Sequence, residues 1–307
     1  MNRALPSRLD DAWPPAAEAM RPAPRRRGPT PPCPGRGIAV AALVFALAAC
    51  GSAPPVPPKQ VLEYERQTSV GLEKHAQGYV AQARNAFLRA LTHAEVDDSG
   101  ERMAGALINL GGVELLLDDP EAAGRAYGRA LREARAVKSG SLEWQAQNGL
   151  AEATRRLGQP AKALDLYATR PDPGKSLPES LALLAEIGRA RALSDLGRAA
   201  EALEALDRVD AAASTLSSPA AVQASAQYAR ARILFAAGRL EPALAASEAA
   251  LAKDRALHYP PSVGEDHRLI AEILAASGRT AEAAEHRARA SSIFSHTGQT
   301  RRLSAVK

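Results

Sequence analysis

The side chains that most often carry chemistry are sparse in this 307-residue chain. Its six histidines are His75, His93, His258, His267, His286 and His296, and its two cysteines are Cys33 and Cys50. Zinc sites and metal-dependent hydrolases gather such ligands at short helical spacings, and neither His-x-x-x-His nor His-Glu-x-x-His occurs in the sequence. It has no GxSxG elbow to present a serine, no phosphate loop and no GxGxxG turn for a dinucleotide. The sequence therefore predicts no catalytic residue, no metal site and no cofactor. What remains is recognition by charge, and arginine is well suited to it. Its planar guanidinium donates two parallel hydrogen bonds to a carboxylate.

Charge must be divided before it is interpreted. The formal balance is +5. Residues 1–50 hold seven arginines against Asp10, Asp11 and Glu18, which accounts for +4 of it. The rest of the chain is nearly neutral and has no concentrated basic face of the kind that displaces counterions from phosphates, so nucleic acid is not an expected partner. Aromatic residues are 4% of the chain and apolar residues 46%, a composition that favours close packing of small side chains on helices. No cysteine follows Cys50, so packing alone must hold the body together.

The first 37 residues are rich in Pro and Arg, and an apolar run from Ile38 to Ala49 follows them. Twelve residues are too few to cross a bilayer as a helix but suit the core of a signal peptide. The run closes on Leu47-Ala48-Ala49-Cys50, which resembles a bacterial lipobox. That resemblance implies cleavage before Cys50 and acylation of its thiol, giving a stable membrane anchor. Gly51 after the cysteine implies sorting to the outer membrane, facing the periplasm. The leader, residues 1–49, is long enough that Met20 and Met1 are both candidate starts. Residues 50–60 are the lipidated cysteine and a Pro-rich extended linker.

From Val61 the chain repeats itself. Turn residues Gly78, Asp118, Gly158, Gly197, Gly238 and Gly278 are spaced by 40, 40, 39, 41 and 40 residues, a period that marks a solenoid. Each closes one helical run, and a second run starts a few residues later, with proline in or near its first turn at Pro120, Pro160 and Pro242. Five residues past each turn residue stands an alanine: Ala83, Ala123, Ala163, Ala202, Ala243 or Ala283. Seven before it stands another small residue, among them Gly71 and Gly111. The expectation is that these small residues face the alanines and let two helix backbones approach closely.

This grammar resembles the tetratricopeptide repeat (TPR) family in a long-period form. Leu110-Gly111 and Val70-Gly71 match the family's Leu-Gly pair, and Ala83-Phe87-Ala90 and Ala123-Tyr127-Ala130 match its later motif. Leu206, Ser247 and Arg287 stand where the last three units should have an aromatic, and no unit has the family's tryptophan. The resemblance implies an all-α solenoid of six helix-turn-helix repeats over residues 61–296, followed by a flexible tail, residues 297–307. It implies that the first helices line a concave groove holding Arg155, Arg156, Arg191, Tyr228, Arg232 and Arg268, with Glu152 and Asp195 among them. In such a groove the arginines would grip carboxylates of a peptide and Tyr228 and Phe235 would be apolar anchors.

Two functions fit. The first is a non-catalytic protein–protein interaction scaffold, anchored by lipid to the bacterial envelope, that assists assembly of an outer-membrane or periplasmic complex, as pilotins and barrel-assembly lipoproteins do. The second is an accessory subunit that recruits an envelope enzyme such as a peptidoglycan hydrolase.

Overall fold

The computed structural model describes residues 57–169 and 177–306. The lipobox residues Leu47, Ala48, Ala49 and Cys50, with the rest of the leader, lie outside the described residues. Among the described residues no helix is long and apolar enough to cross a membrane.

Thirteen helices and no strand make up the described residues, twelve of them as antiparallel pairs. The pairs are α1 (Lys59–Ala76) with α2 (Val80–Val96), α3 (Gly100–Leu116) with α4 (Pro120–Ala136), and α5 (Gly140–Arg156) with α6 (Pro160–Ala168). They continue as α7 (Glu179–Asp195) with α8 (Ala199–Ala213), α9 (Ala220–Ala236) with α10 (Leu240–Ala256), and α11 (Pro260–Ala276) with α12 (Thr280–Thr297). A short α13 (Thr300–Val306) follows. The fold is an all-α solenoid. Its long period has a simple origin in the second unit. Two helices of 17 residues each, joined and followed by three-residue turns, fill forty residues.

The turn residues do what their chemistry requires. Gly78 has φ of 78°, and its N–H donates to the His75 carbonyl at 2.9 Å while the Tyr79 N–H reaches the Lys74 carbonyl at 2.8 Å. This double closure satisfies carbonyls that the end of α1 would otherwise leave bare. Asp118 holds the equivalent place with φ of 60°, a left-handed conformation that a side chain tolerates only at a cost of about 1–2 kcal/mol. Asp119 then starts α4, its Oδ1 accepting from the Ala122 N–H at 2.9 Å, with Pro120 at the first helical position.

Packing between the paired helices corrects one expectation. Ala83, Ala123, Ala163, Ala202, Ala243 and Ala283 are all fully buried. Gly71 and Gly111, however, face rings and not those alanines. A Cβ on Gly111 would stand 2.7 Å from Cε2 of Tyr127, and one on Gly149 would stand 2.2 Å from Cε1 of the same ring. Tyr127, on α4, is therefore clamped between a glycine of its own pair and a glycine of the next. Gly71 leaves the same space for Phe87, and Gly188 for the Tyr167 hydroxyl. The missing side chains make room for an aromatic wedge, whose dispersion contacts offset the glycines' poor helix propensity.

The C-terminal end corrects another. Residues beyond Thr297 are not a loose tail: Gly298 turns the chain with φ of 78°, and α13 packs with Gln299 and Arg302 buried. These side chains find carbonyls at the far end of the array. Gln299 Nε2 donates to the Leu116 carbonyl at 2.9 Å, and Arg302 Nε to the same oxygen at 3.0 Å. Polar groups with buried partners do not fray. Nearby, His75 Nε2 lies 3.3 Å from the Tyr259 hydroxyl, and Gly78 sits against Pro260 and Pro261. The first two pairs thus touch the last, and the solenoid closes on itself.

Candidate functional site

The inner faces of α5, α7, α9 and α11 meet at a cavity of about 360 Å³. All six groove residues named from the sequence line it: Arg155, Arg156, Arg191, Tyr228, Arg232 and Arg268. Asp118 and Gly158 contribute from the turns, Pro120 from the start of α4, Glu265 from α11 and Arg302 from α13. Six arginines against two carboxylates give the lining a formal balance of +4.

Two buried carboxylates organise these arginines. Glu152, 2% exposed on α5, is gripped in bidentate fashion by Arg155, Nε to Oε2 and Nη2 to Oε1, both at 2.9 Å. Arg156 Nε reaches Oε1 at 2.9 Å, and Arg191 Nη2 lies 3.3 Å from the same atom. Arg155 also donates through Nη1 to Asp195 at 2.6 Å, and Arg156 Nη1 to the Leu115 carbonyl at 3.0 Å. Burial works to raise the Glu152 pKa, but the fields of Arg155, Arg191 and Arg156 outweigh it and pull the carboxyl down to about 2.

The second cluster stands on Glu265. Arg268 Nη2 donates to its Oε2 at 2.9 Å, the Tyr228 hydroxyl donates to the same oxygen at 3.2 Å, and Arg302 pairs with Oε1. Burial again pushes upward, and Arg268 and Arg302 again prevail, leaving this carboxyl at about 2 as well. Arg268 also pairs with Glu272. Counting Glu152, Asp195 and Glu272 with the lining acids brings the six arginines to a single positive charge in excess. The arginine that carries it most freely is Arg232, which is exposed and has no hydrogen bond or ion pair among the described residues.

These details revise the roles expected from sequence. Arg155 and Arg191 are largely buried and already engaged with Glu152, so they shape the cup wall more than they project into it. Tyr228 is 2% exposed and presents little apolar surface, and Phe235 is half-buried against the core cluster around it. Five lining residues join the site beyond those expected: Asp118, Pro120 and Gly158, and the charged pair Glu265 and Arg302. Glu265 carries a sequence signal, because Glu265-x-x-Arg268 repeats the spacing of Glu152-x-x-Arg155. Arg302 carries none, since it stands beyond the last repeat.

Histidines lie elsewhere. His267 and His286 bring their Nδ1 atoms within 2.9 Å of each other between α11 and α12, and burial lowers the His267 pKa to about 4, with His286 and Arg255 adding to the effect. Among the described residues no three His, Cys, Asp or Glu side chains are grouped to hold a metal ion.

Fold and site together define a class: a solenoid of antiparallel helical hairpins, closed around an arginine-lined inner cup. The comparisons with known proteins agree at the level of fold. No family model and no curated protein matches the sequence. Among solved structures, the chain resembles a Rap protein complexed with competence and sporulation factor, at 14% identity and a TM-score of 0.57, covering 81% of this chain and 76% of that one. It also resembles Bacillus thuringiensis PlcR in complex with the peptide PapR7 and DNA, at 13% identity and a TM-score of 0.54, covering 80% and 92%. A tetratricopeptide repeat protein from Parabacteroides merdae aligns over 80% of this chain and 99% of its own at 16% identity and a TM-score of 0.39.

Proposed function

We propose that this chain is a non-catalytic protein–protein interaction scaffold that holds a peptide segment of its partner in the basic cup. The observation that carries the reading is the cup itself, where Arg232 stands exposed and without a partner among the described residues, beside arginines that Glu152 and Glu265 hold in place. A rigid wall of this kind favours binding because Glu152 and Glu265 fix their arginines before a ligand arrives, so little side-chain entropy is lost on association. Acidic side chains or a terminal carboxylate match the exposed Arg232 and the outer edges of Arg156 and Arg268. PlcR bound to the peptide PapR7 and DNA, and the Rap protein bound to competence and sporulation factor, share the fold, and this supports the general mode without naming a ligand.

The leader supports a place for this activity. Lipid on Cys50 would tether the scaffold to the outer membrane, facing the periplasm, with residues 51–60 as spacer, where it would assist assembly of an envelope complex. Two experiments test the reading. Radiolabelled palmitate is expected to enter the wild type and not the Cys50→Ala variant; labelling that survives the substitution refutes the anchor. Crosslinking in membranes captures secretin or barrel components with the wild type and less with Arg232→Ala. Capture of peptidoglycan hydrolases instead favours the role of recruiting subunit, and hydrolytic activity of the purified chain refutes a scaffold role.

A further inference from the structure

We infer that the C-terminal segment, residues 299–306, is an intrachain clasp that closes the solenoid into a ring and restricts the mouth of the cup. Its side chains act at two places at once. On one side Arg302 pairs with Glu265 of α11, and Thr297 Oγ1 donates to Gln299 Oε1 at 2.8 Å, which steadies the segment on the last pair. On the other, Gln299, Arg301 and Arg302 reach the α3–α4 turn, at least 183 residues earlier in the chain. Gln299 Nε2 and Arg302 Nε share the Leu116 carbonyl, Arg302 Nη2 donates to the Leu115 carbonyl at 3.2 Å, and Arg301 Nη1 donates to the Asp118 carbonyl at 3.0 Å. Arg301 also lies 2.9 Å from Asp119 Oδ2.

The chemistry of the receiving end explains why basic residues dock there. Leu115 and Leu116 are the last residues of α3, where carbonyls lack helical partners and the helix dipole ends negative. Asp118 and Asp119 follow in the turn. Cations complement all of these groups, and Arg302 joins them to a buried carboxylate four repeats away. No sequence-local contact could do this. Other contacts across the seam include the His75–Tyr259 pair, Gly78 against two prolines, Gly298 against Ala81, and Tyr79 near His296 with ring centroids 6.0 Å apart. Among these, the clasp's side chains supply the hydrogen bonds to buried backbone carbonyls.

The clasp also bears on access. Arg302 lines the cavity, and Asp118 lies on both the cavity wall and the receiving turn. Opening the seam therefore enlarges the mouth of the cup and removes one of its six arginines.

The test compares the full chain with a variant that stops after Gly298, using small-angle scattering and hydrogen exchange. Truncation is expected to raise the radius of gyration and to speed exchange in α1 and α11 by about tenfold, while α7 and α9 keep their wild-type rates. A synthetic peptide of residues 298–307 is expected to bind the truncated chain, to restore its compactness and to leave the full chain untouched. Should the truncated chain lose helicity beyond its missing α13, the full-length Arg301→Ala/Arg302→Ala variant carries the same test, with the same exchange pattern expected. An unchanged radius of gyration together with unchanged exchange at the seam, in whichever variant stays folded, overturns the clasp.

Discussion

Glu152 and Glu265 are near copies set to different work. Each is a buried glutamate on a first helix, followed three residues later by an arginine that grips it, and each has its carboxyl held at about 2. Around Glu152 all the partners come from α5 and α7, adjacent along the chain. Around Glu265 they come from α9, α11 and α13, and Arg302 passes the connection on to carbonyls of α3. The same local spacing fastens neighbours in one place and the two ends of the molecule in the other. A repeat protein is often pictured as contacts between adjacent units only. Here Gln299, Arg301 and Arg302 add long-range contacts on top of that pattern.

The largest expected effect breaks the first cluster. Glu152→Ala leaves three arginines facing one another without their buried counter-charge, and stability falls by about 3–5 kcal/mol in urea denaturation. A loss under about 1 kcal/mol would show that solvent already reaches this cluster. Glu265→Gln is expected to cost less, about 1–3 kcal/mol, because Arg268 keeps Glu272 and Arg302 keeps its two carbonyls. Its mark is one of place: faster hydrogen exchange concentrates in α1, α11 and α13, whereas that of Glu152→Ala spreads through α5 and α7. Identical exchange maps for the two variants would erase the distinction between the clusters.

Acid separates the seam from the clusters. Burial lowers the His75 pKa to about 4 from its ordinary 6.5, so between those values the unfolded chain takes up a proton that the folded one refuses. Stability therefore falls as pH drops from 6.5 towards 4, and His267 adds to the fall in the same sense. Glu152 and Glu265 act lower. Their folded pKa values lie below the ordinary 4.5, so their contribution is whole above that pH and is lost between 4.5 and about 2. Thermal melts across this range are expected to show two stages, and His75→Gln should shrink the upper one, leaving the part that His267 contributes. The smallest effect sharpens the picture at Glu152: Asp195, well exposed beside Arg155, is expected to cost about 0.5 kcal/mol when replaced by Asn, a difference visible in a double-mutant cycle with Arg155.

Much of the candidate site is legible in the sequence. Arg155, Arg156, Arg191, Tyr228, Arg232 and Arg268 fall on the first helices of successive units, and a periodic solenoid brings those helices to one surface. Their state is not legible there. Whether Arg191 projects or lies buried depends on where Glu152 of the preceding repeat places its oxygens, and that follows from how two helices cross. The glycines teach the same lesson. Gly111 announces a close approach, but the neighbour is the ring of Tyr127, shared with Gly149 of the next unit. Helical periodicity specifies which face a residue occupies, not which side chain meets it there.

By itself, then, the chain's order of residues determined the helices, their pairing and their stacking into a solenoid. These follow from contacts within about forty residues, written in turn residues with positive φ, buried alanines and a steady period. Only the tertiary structure decided that the array closes, that Arg302 belongs to the cup, and that Glu152 and Glu265 differ. The physical reason is geometric accumulation: a small rotation at every helix crossing, summed over six pairs, sets whether the ends meet, and no local stretch of sequence records that sum.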